Sequence, residues 1–144
     1  MWLDRITTSR TAELVELAAR FYEERHKVLA ENVANIDTPD HQARTLDPRA
    51  FQSELRKAAE KADGGDGGPL ALHGEQAWTD GAGRLHVSPA IEPAQNVLFH
   101  DGTNARLEAL MTDAQANGLQ YNLAINLLKG RYNSLLAAVR GRTT

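Results

Sequence analysis

The sequence contains no cysteine, which excludes disulfides, thiolate catalysis and cysteine-ligated zinc sites. Aromatic residues make up only 6% of the 144 residues. No apolar run approaches the roughly 20 residues that span a bilayer, so we expect no direct membrane insertion. An excess of one charge is also missing, since 16 basic and 19 acidic residues give a net charge of −3. Nucleic-acid binding needs a strong basic patch, so no nucleic-acid partner is expected.

Sequence patterns of catalysis and cofactor binding are missing as well. No two histidines are three or four residues apart, as a helical metal site requires; the five are His26, His41, His73, His86 and His100. The chain has no Gly-x-Ser-x-Gly elbow, and no Gly-Lys-Ser/Thr follows its glycine-rich segment. We therefore expect no enzyme activity, no cofactor, no bound metal and no small-molecule substrate.

Residues 1–39 are predicted to form a helix with one regular apolar seam. The spacing between successive seam residues alternates between four and three positions, as in a helix that packs lengthwise on another helix. The seam residues are Val15, Ala19, Tyr22, His26, Leu29, Val33 and Ile36. His26 is expected to be packed or partly buried on this seam. Thr11 is a candidate N-cap, and Thr38-Pro39 is expected to stop the helix, because the residue before proline avoids the helical conformation.

Residues 101–144 carry a longer seam after a predicted turn and N-cap at Asp101 to Asn104. The seam residues are Leu107, Met111, Ala114, Gly118, Tyr121, Ile125, Leu128, Tyr132, Leu135 and Val139. The competing interpretation is a helical hairpin that turns at Asn117-Gly118. We favour one helix from Asn104 to Val139, because the seam keeps its phase through both Gly118 and Gly130. Tyr132 is a candidate for ring packing against Tyr22.

Residues 40–100 differ from the two ends and are predicted to be a variable insert. Asp47-Pro48 can start a short helix with Phe51 and Leu55 on its apolar face. That helix is expected to end in a flexible glycine-rich linker at 63–69. A hairpin and loop follow, with a β-compatible segment at 97–99. The predicted fold is therefore mainly α: two terminal helices packed as an antiparallel coiled-coil-like pair, with a small irregular or β insert.

The apolar surface of the two seams is too large to be buried within one chain. A helix of 36 residues is roughly 54 Å long and exceeds the first helix, so part of its apolar surface stays uncovered within one subunit. Such surface argues for partner helices. About half of the seam residues are expected to form the subunit core and half to contact neighbours.

Two motifs carry a resemblance to a known family. Asn32-Val-Ala-Asn-Ile-Asp-Thr-Pro39 closely resembles the Asn-Ile-Ala-Asn-x-x-Thr-Pro-Gly-Tyr signature of flagellar rod and hook proteins. The stretch from Asp101 to Met111 is similar to the one that opens the C-terminal helix of a proximal rod protein in that family. The sequence departs from the first signature at Asp40-His41, where the family has Gly-Tyr. It departs from the second at Ala105-Arg106 and at Leu110.

The resemblance implies a structural subunit of the flagellar basal-body rod that polymerises through its terminal helices. It implies as partners other rod subunits, further copies of this chain, and a FliE-type adaptor at the export gate. The implied location is the periplasmic rod, reached without a cleaved signal peptide, since Met1 to Arg5 lack an apolar signal core. The assembly residues it implies are Asn32, Asn35, Thr38, Pro39, Asn104, Glu108 and Met111.

Two other functions are compatible with the residues alone. A cytosolic coiled-coil adaptor would form a small oligomer of defined size. An enzyme with an unrecognised site in residues 40–100 would need a concave pocket with converging polar groups. For the Asn32 to Pro39 motif, the simpler interpretation is a polar cap at a helix end. For Asn104 and Glu108, it is helix capping and an exposed charge.

Overall fold

Two helices, α1 and α3, dominate the fold. The computed structural model describes residues 10–63, 70–92 and 102–141. The elements in chain order are α1 (Arg10–Ala34), β1 (Arg44–Thr45), α2 (Pro48–Asp63), β2 (Ala77–Thr79), β3 (Leu85–Val87), β4 (Ala90–Ile91) and α3 (Gly102–Val139). Since α1 and α3 pack extensively on each other and the strands lie in the insert between them, the predicted fold class is confirmed.

The helix pair is antiparallel. Thr11 and Val15 near the start of α1 line one cleft with Leu128 and Arg131, late in α3. Further along α1, Arg25 bonds to Asn117, which lies earlier in α3. The helices have 25 and 38 residues, or about 37 and 57 Å at 1.5 Å per residue. The last two turns of α3, after Arg131, therefore extend past the described start of α1.

The long helix is continuous. α3 runs through Asn117, Gly118 and Gly130 without a break, so the hairpin interpretation is wrong. A Cβ added at either glycine would meet nothing within 4 Å, so neither glycine is required by a close contact. The predicted cap at Asn104 is also wrong, because α3 has already begun at Gly102. Asp101 lies outside the described residues.

Helix α1 ends earlier than the proline alone would require. It stops at Ala34, and the segment from Asn35 to Asp40 forms turns in which Thr38 N donates to Asn35 O at 3.0 Å. Pro39 therefore lies in the corner after the helix. The N-cap predicted at Thr11 is wrong, because Arg10 is already helical.

The start of α2 follows its sequence signal. Pro48 is its first residue, and the Asp47 carboxylate accepts a hydrogen bond from Arg49 N at 2.8 Å. This is the predicted cap with proline at the first helical position. Phe51 is buried and Leu55 is half-buried on the face toward the core, as expected. The residues of the predicted linker after Asp63 lie outside the described part of the chain.

Two short antiparallel strand pairs complete the insert. β2 pairs with β3 in the predicted hairpin, with Trp78 opposite His86. β1 pairs with β4, joining the two ends of the insert. That second pair was not predicted, because a pairing across 46 residues leaves no local turn signal. The predicted segment at 97–99 lies outside the described residues.

One core joins α1 to the insert. The rings of Phe21 and Phe51 stack with centroids 3.9 Å apart. The other buried members come from α1, α2 and the segments between them: Leu17, Tyr22, Val28, Leu46, Ala58, Leu70, Leu72 and Ala77. α1 therefore packs on the insert along one side and on α3 along another, which fixes the corner between α1 and β1.

Candidate assembly interface

The Asn32 side chain connects the end of α1 to the returning chain. Asn32 Nδ2 donates to Arg44 O at 2.7 Å, and Asn32 Oδ1 accepts from Arg44 N at 3.0 Å. On the other side of β1, Glu92 N donates to Ala43 O at 2.8 Å. Backbone groups alternate in direction along an antiparallel ladder, so those of Arg44 face away from β4. The buried Asn32 amide thus takes the place of a neighbouring strand.

The rest of the first motif lies at the surface of the same corner. Asn35 Nδ2 donates to Glu31 O at 2.9 Å, and Thr38 Oγ1 donates to Asn35 Oδ1 at 3.3 Å. Asn35 therefore gives the Glu31 carbonyl a second donor, beside its own backbone N–H, which binds the same oxygen at 3.1 Å. Thr38 and Pro39 are exposed. Within the motif, Asn32 serves the interior of the subunit and Thr38-Pro39 is available to a neighbour.

Asp40 occupies a left-handed backbone conformation, with φ of 61°. That conformation favours glycine, because a Cβ strains it. It is also the position at which the rod and hook signature has glycine. The neighbouring His41 has a buried Nε2 atom with no hydrogen-bond partner among the described residues. The two departures from the signature therefore both leave a local cost at this corner.

The inward face of α3 is displaced from the predicted seam. Leu107, Tyr121, Leu128 and Leu135 are half-buried, as are Ala114 and Ile125. Between them, the buried positions are Leu110, Asn117 and Ala124, each one residue before a predicted seam position. Met111 and Tyr132, predicted on the seam, are 52% and 58% exposed.

The predicted contact between Tyr22 and Tyr132 is wrong. Tyr22 lies opposite Asn117, since Asn117 Nδ2 donates to Tyr22 O at 2.8 Å. Tyr132 is 15 residues further along α3, or about 22 Å away. Tyr22 instead packs edge-on against Phe21, and its hydroxyl accepts a hydrogen bond from Gln52.

Most of the predicted α1 seam lies inward. Ala19, Tyr22 and Leu29 are buried, and Val15, Val33 and Ile36 are half-buried. The prediction that His26 is packed is wrong: His26 is exposed, and the preceding Arg25 takes the inward position.

A buried polar cluster joins both helices and the insert. Arg25 Nε donates to Leu46 O at 3.0 Å, and Arg25 Nη1 donates to Asn117 Oδ1 at 3.3 Å. A third guanidinium nitrogen lies 3.9 Å from a carboxylate oxygen of Asp113. Arg25 is 9% exposed and Asn117 is 1% exposed. A search for apolar spacing cannot find these two residues, because both are polar. The one indication in the sequence is that the seam position after each is not a large apolar residue: His26 follows Arg25, and Gly118 follows Asn117.

The opposite face of α3 carries exposed leucines. Leu119, Leu123 and Leu127, here called the outer leucine row, are spaced by four residues and are 72%, 56% and 54% exposed. Residues at that spacing share one helix face. Tyr132, Leu136 and Val139 are also exposed, in the last turns of α3, which extend past the described start of α1. α3 is therefore apolar on two faces, and only one of them packs on α1.

The assembly residues predicted in α3 lie in its first turns. Glu108 and Met111 are exposed, and Thr112 Oγ1 donates to Glu108 O at 2.9 Å. Asn104 lies in α3, but its side chain is outside the described part. Whether these residues contact a neighbouring subunit stays a prediction.

Polar groups in the insert form surface interactions. Hydrogen bonds from Arg84 N and then from His86 hold the pKa of Asp80 well below its usual range, and this carboxylate closes the β2–β3 turn.

No cluster of His, Asp or Glu able to hold a metal occurs among residues 10–63, 70–92 and 102–141. None of the helices in that part is long and apolar enough to cross a membrane.

Comparison with known proteins supports the resemblance seen in the two motifs. No family model matches the chain. The flagellar basal body rod protein FlgB of Salmonella typhimurium is 26% identical over 141 residues, which cover 88% of this chain and 96% of that protein. FlgB of Escherichia coli K12 is 29% identical over 85% of this chain and 92% of its own length. FlgB of Bacillus subtilis is 26% identical over 92% and 95%.

The similarity to FlgB extends along most of the chain, which confirms the resemblance predicted from the two ends. The names of these relatives describe components of the flagellar basal-body rod.

Proposed function

We propose that this chain is a structural subunit of the proximal flagellar rod that polymerises through α1 and α3. The polymer would form the shaft that transmits torque and encloses the export channel. Support comes from the names of the FlgB relatives, whose alignments cover 85–88% of this chain, and from the antiparallel packing of the two terminal helices.

One observation carries the assembly part of the proposal. The outer leucine row is exposed on the face of α3 opposite the buried Leu110 and Ala124. A contiguous apolar surface exposed on a protein commonly marks a site of contact with another protein. Fully burying one leucine side chain contributes about 1.5–3 kcal/mol. Each leucine of the row therefore contributes this free energy of burial only when a neighbouring subunit covers it.

The corner after α1 supports the same role. Asn32 fixes the returning chain from inside, so Thr38 and Pro39 are held at the surface in a defined turn. A rigid corner can contact a neighbour without first being ordered, which reduces the entropic cost of binding.

The partners proposed are other rod subunits, further copies of this chain, and a FliE-type adaptor at the export gate. The proposed location is the periplasmic rod. Catalysis and a cofactor have no part in this function. The alternative of a cytosolic coiled-coil adaptor is not favoured, because the relatives are named for the rod.

The test is complementation of a strain that lacks the gene for this protein. Motility is scored in cells, and rod assembly is scored by electron microscopy of isolated basal bodies. The deletion should abolish rods, and the unsubstituted chain should restore them. Normal rods in the deletion strain would rule out the proposed function.

The same strain tests the outer leucine row. Leu123→Gln should abolish or sharply reduce rod assembly. Asn122→Gln, which places the same side chain at the adjacent exposed position, should restore rods fully. Both side chains are exposed, so neither change should alter the stability of the isolated chain by more than about 0.5 kcal/mol. Normal rods from a chain with all three leucines replaced by glutamine would show that the row is not an assembly surface.

A further inference from the structure

Hydrophobic burial alone does not explain which face of α3 packs on α1. Around the outer leucine row, the inward face offers the half-buried Tyr121, Ile125 and Leu128 together with the small or polar Ala124 and Asn117. The outward face over the same turns carries the outer leucine row. The two faces therefore offer similar apolar surface, and transfer from water does not select strongly between them. A further interaction is needed to select the observed face.

We infer that the Arg25–Asn117 cluster selects the inward face of α3 and so keeps the outer leucine row outward. Asn117 is the one residue of the central inward face whose side chain bonds to both the α1 backbone, at Tyr22 O, and the Arg25 guanidinium. If α3 rotated to bring the leucines inward, Arg25 would lose the Asn117 amide and remain buried at the helix interface. A buried charge with fewer hydrogen bonds is strongly destabilising.

The cluster also selects the register along the helix axis. A shift of α3 by one turn would move Asn117 about 5.4 Å from Tyr22 O and from Arg25. Arg25 itself is held by Leu46 O, in the segment after β1, so its position does not follow α3. A single buried polar residue in an otherwise apolar helix interface is known to specify register in this way, at a cost in stability.

The small inward residues are consistent with this selection. Ala114 and Ala124 are on either side of Asn117 on the inward face and allow the two helices to approach closely. A close approach excludes water from the cluster, which strengthens its hydrogen bonds and raises the cost of leaving them unmade. The inference deepens the proposed function: the assembly role of the outward leucines rests on it, whereas the choice of face is a property of the isolated chain.

The experiment uses cysteine reactivity in the purified full chain, which has no natural cysteine. Leu123→Cys reports on the outward face and Ala124→Cys on the inward face. In the otherwise unsubstituted chain, the thiol at 124 should react with a maleimide at least about tenfold more slowly than the thiol at 123, because labelling it requires opening of the helix pair. When Arg25→Met and Asn117→Ala are added, which removes the cluster without making the inward face much more apolar, the two rates should converge while circular dichroism still shows a helical chain.

Two further variants make the result specific. Lys27→Met with Gln120→Ala introduces the same residue types at exposed positions and should leave the rate ratio unchanged. Leu119→Gln with Leu127→Gln, added to the chain that lacks the cluster, should restore the ratio, because the outward face is then clearly less apolar than the inward one.

An unchanged rate ratio in a folded chain with Arg25→Met and Asn117→Ala would overturn the inference. If that double variant does not fold, Asn117→Ser removes the amide bonds without adding bulk, and an unchanged ratio there overturns it equally. Neither measurement needs rod assembly, so failure of this inference leaves the proposed function intact, and loss of the proposed function leaves this result valid.

Discussion

Replacing Asn32 by alanine should destabilise the chain far more than the same change at Asn35. The Asn32 amide makes two hydrogen bonds to the Arg44 backbone, at 2.7 and 3.0 Å, and is buried. The Arg44 groups face away from β4, so the strand pair cannot replace the lost bonds. Asn35 makes one bond to a helix-end carbonyl and accepts one at 3.3 Å from Thr38, at a corner open to water.

The expected magnitudes follow from this difference. A fully buried backbone group left without a partner costs about 1–3 kcal/mol; the two Arg44 groups are only partly buried, so we expect Asn32→Ala to cost about 2–4 kcal/mol. Asn35→Ala should cost about 0.5–1.5 kcal/mol, the net value of an ordinary hydrogen bond. Total stability for a chain of this size is about 5–15 kcal/mol, so both variants should fold.

Urea unfolding followed by circular dichroism measures the difference directly. With a slope of about 2 kcal/mol per molar urea, the Asn32→Ala midpoint should fall by about 1–2 M, and the Asn35→Ala midpoint by less than about 0.8 M. Equal shifts for the two variants would refute the argument that the Asn32 amide substitutes for a strand.

Three further predictions concern separate parts of the molecule. Asp40→Gly should raise the free energy of unfolding by about 0.5–1 kcal/mol in urea denaturation, because it relieves a positive φ. Gly130→Ala should raise it by a similar amount, about 0.5–1 kcal/mol, since the added Cβ meets nothing and alanine favours the helix; a loss of stability would contradict either prediction. Because the pKa of Asp80 lies below its ordinary value near 3.8, its carboxylate stabilises the fold fully above that pH and progressively less below it. Between about pH 5 and pH 2, the unsubstituted chain should therefore lose stability faster than Asp80→Asn in urea titrations, and parallel curves would count against this.

The fold was largely predictable because its strongest signals are local and periodic. The single long α3 followed from a seam that keeps its phase through Gly118 and Gly130, and the start of α2 followed from Asp47-Pro48. The pairing of β1 with β4 was not predictable, since Arg44 and Ile91 are distant in sequence and the strands are only two residues long.

The candidate site was predictable only in part, because polar residues take inward positions in both helices. A search for apolar spacing does not detect Arg25 and Asn117, because both side chains are polar. The sequence therefore assigns the inward positions to His26 and Gly118, one residue after the positions that are buried. The cluster becomes visible only when the two helices are brought together, since its bonds join residues 92 positions apart.

The first residues of the insert are hydrogen-bonded to α1: Asn32 binds Arg44, and Arg25 binds Leu46. The tip of its β2–β3 hairpin, at Gly81 and Ala82, is exposed and lies beyond these attachments. Additional residues introduced at that tip would leave the terminal helices in place. The hairpin tip is accordingly the position at which an epitope or a fluorescent label can be inserted to follow the protein in living cells.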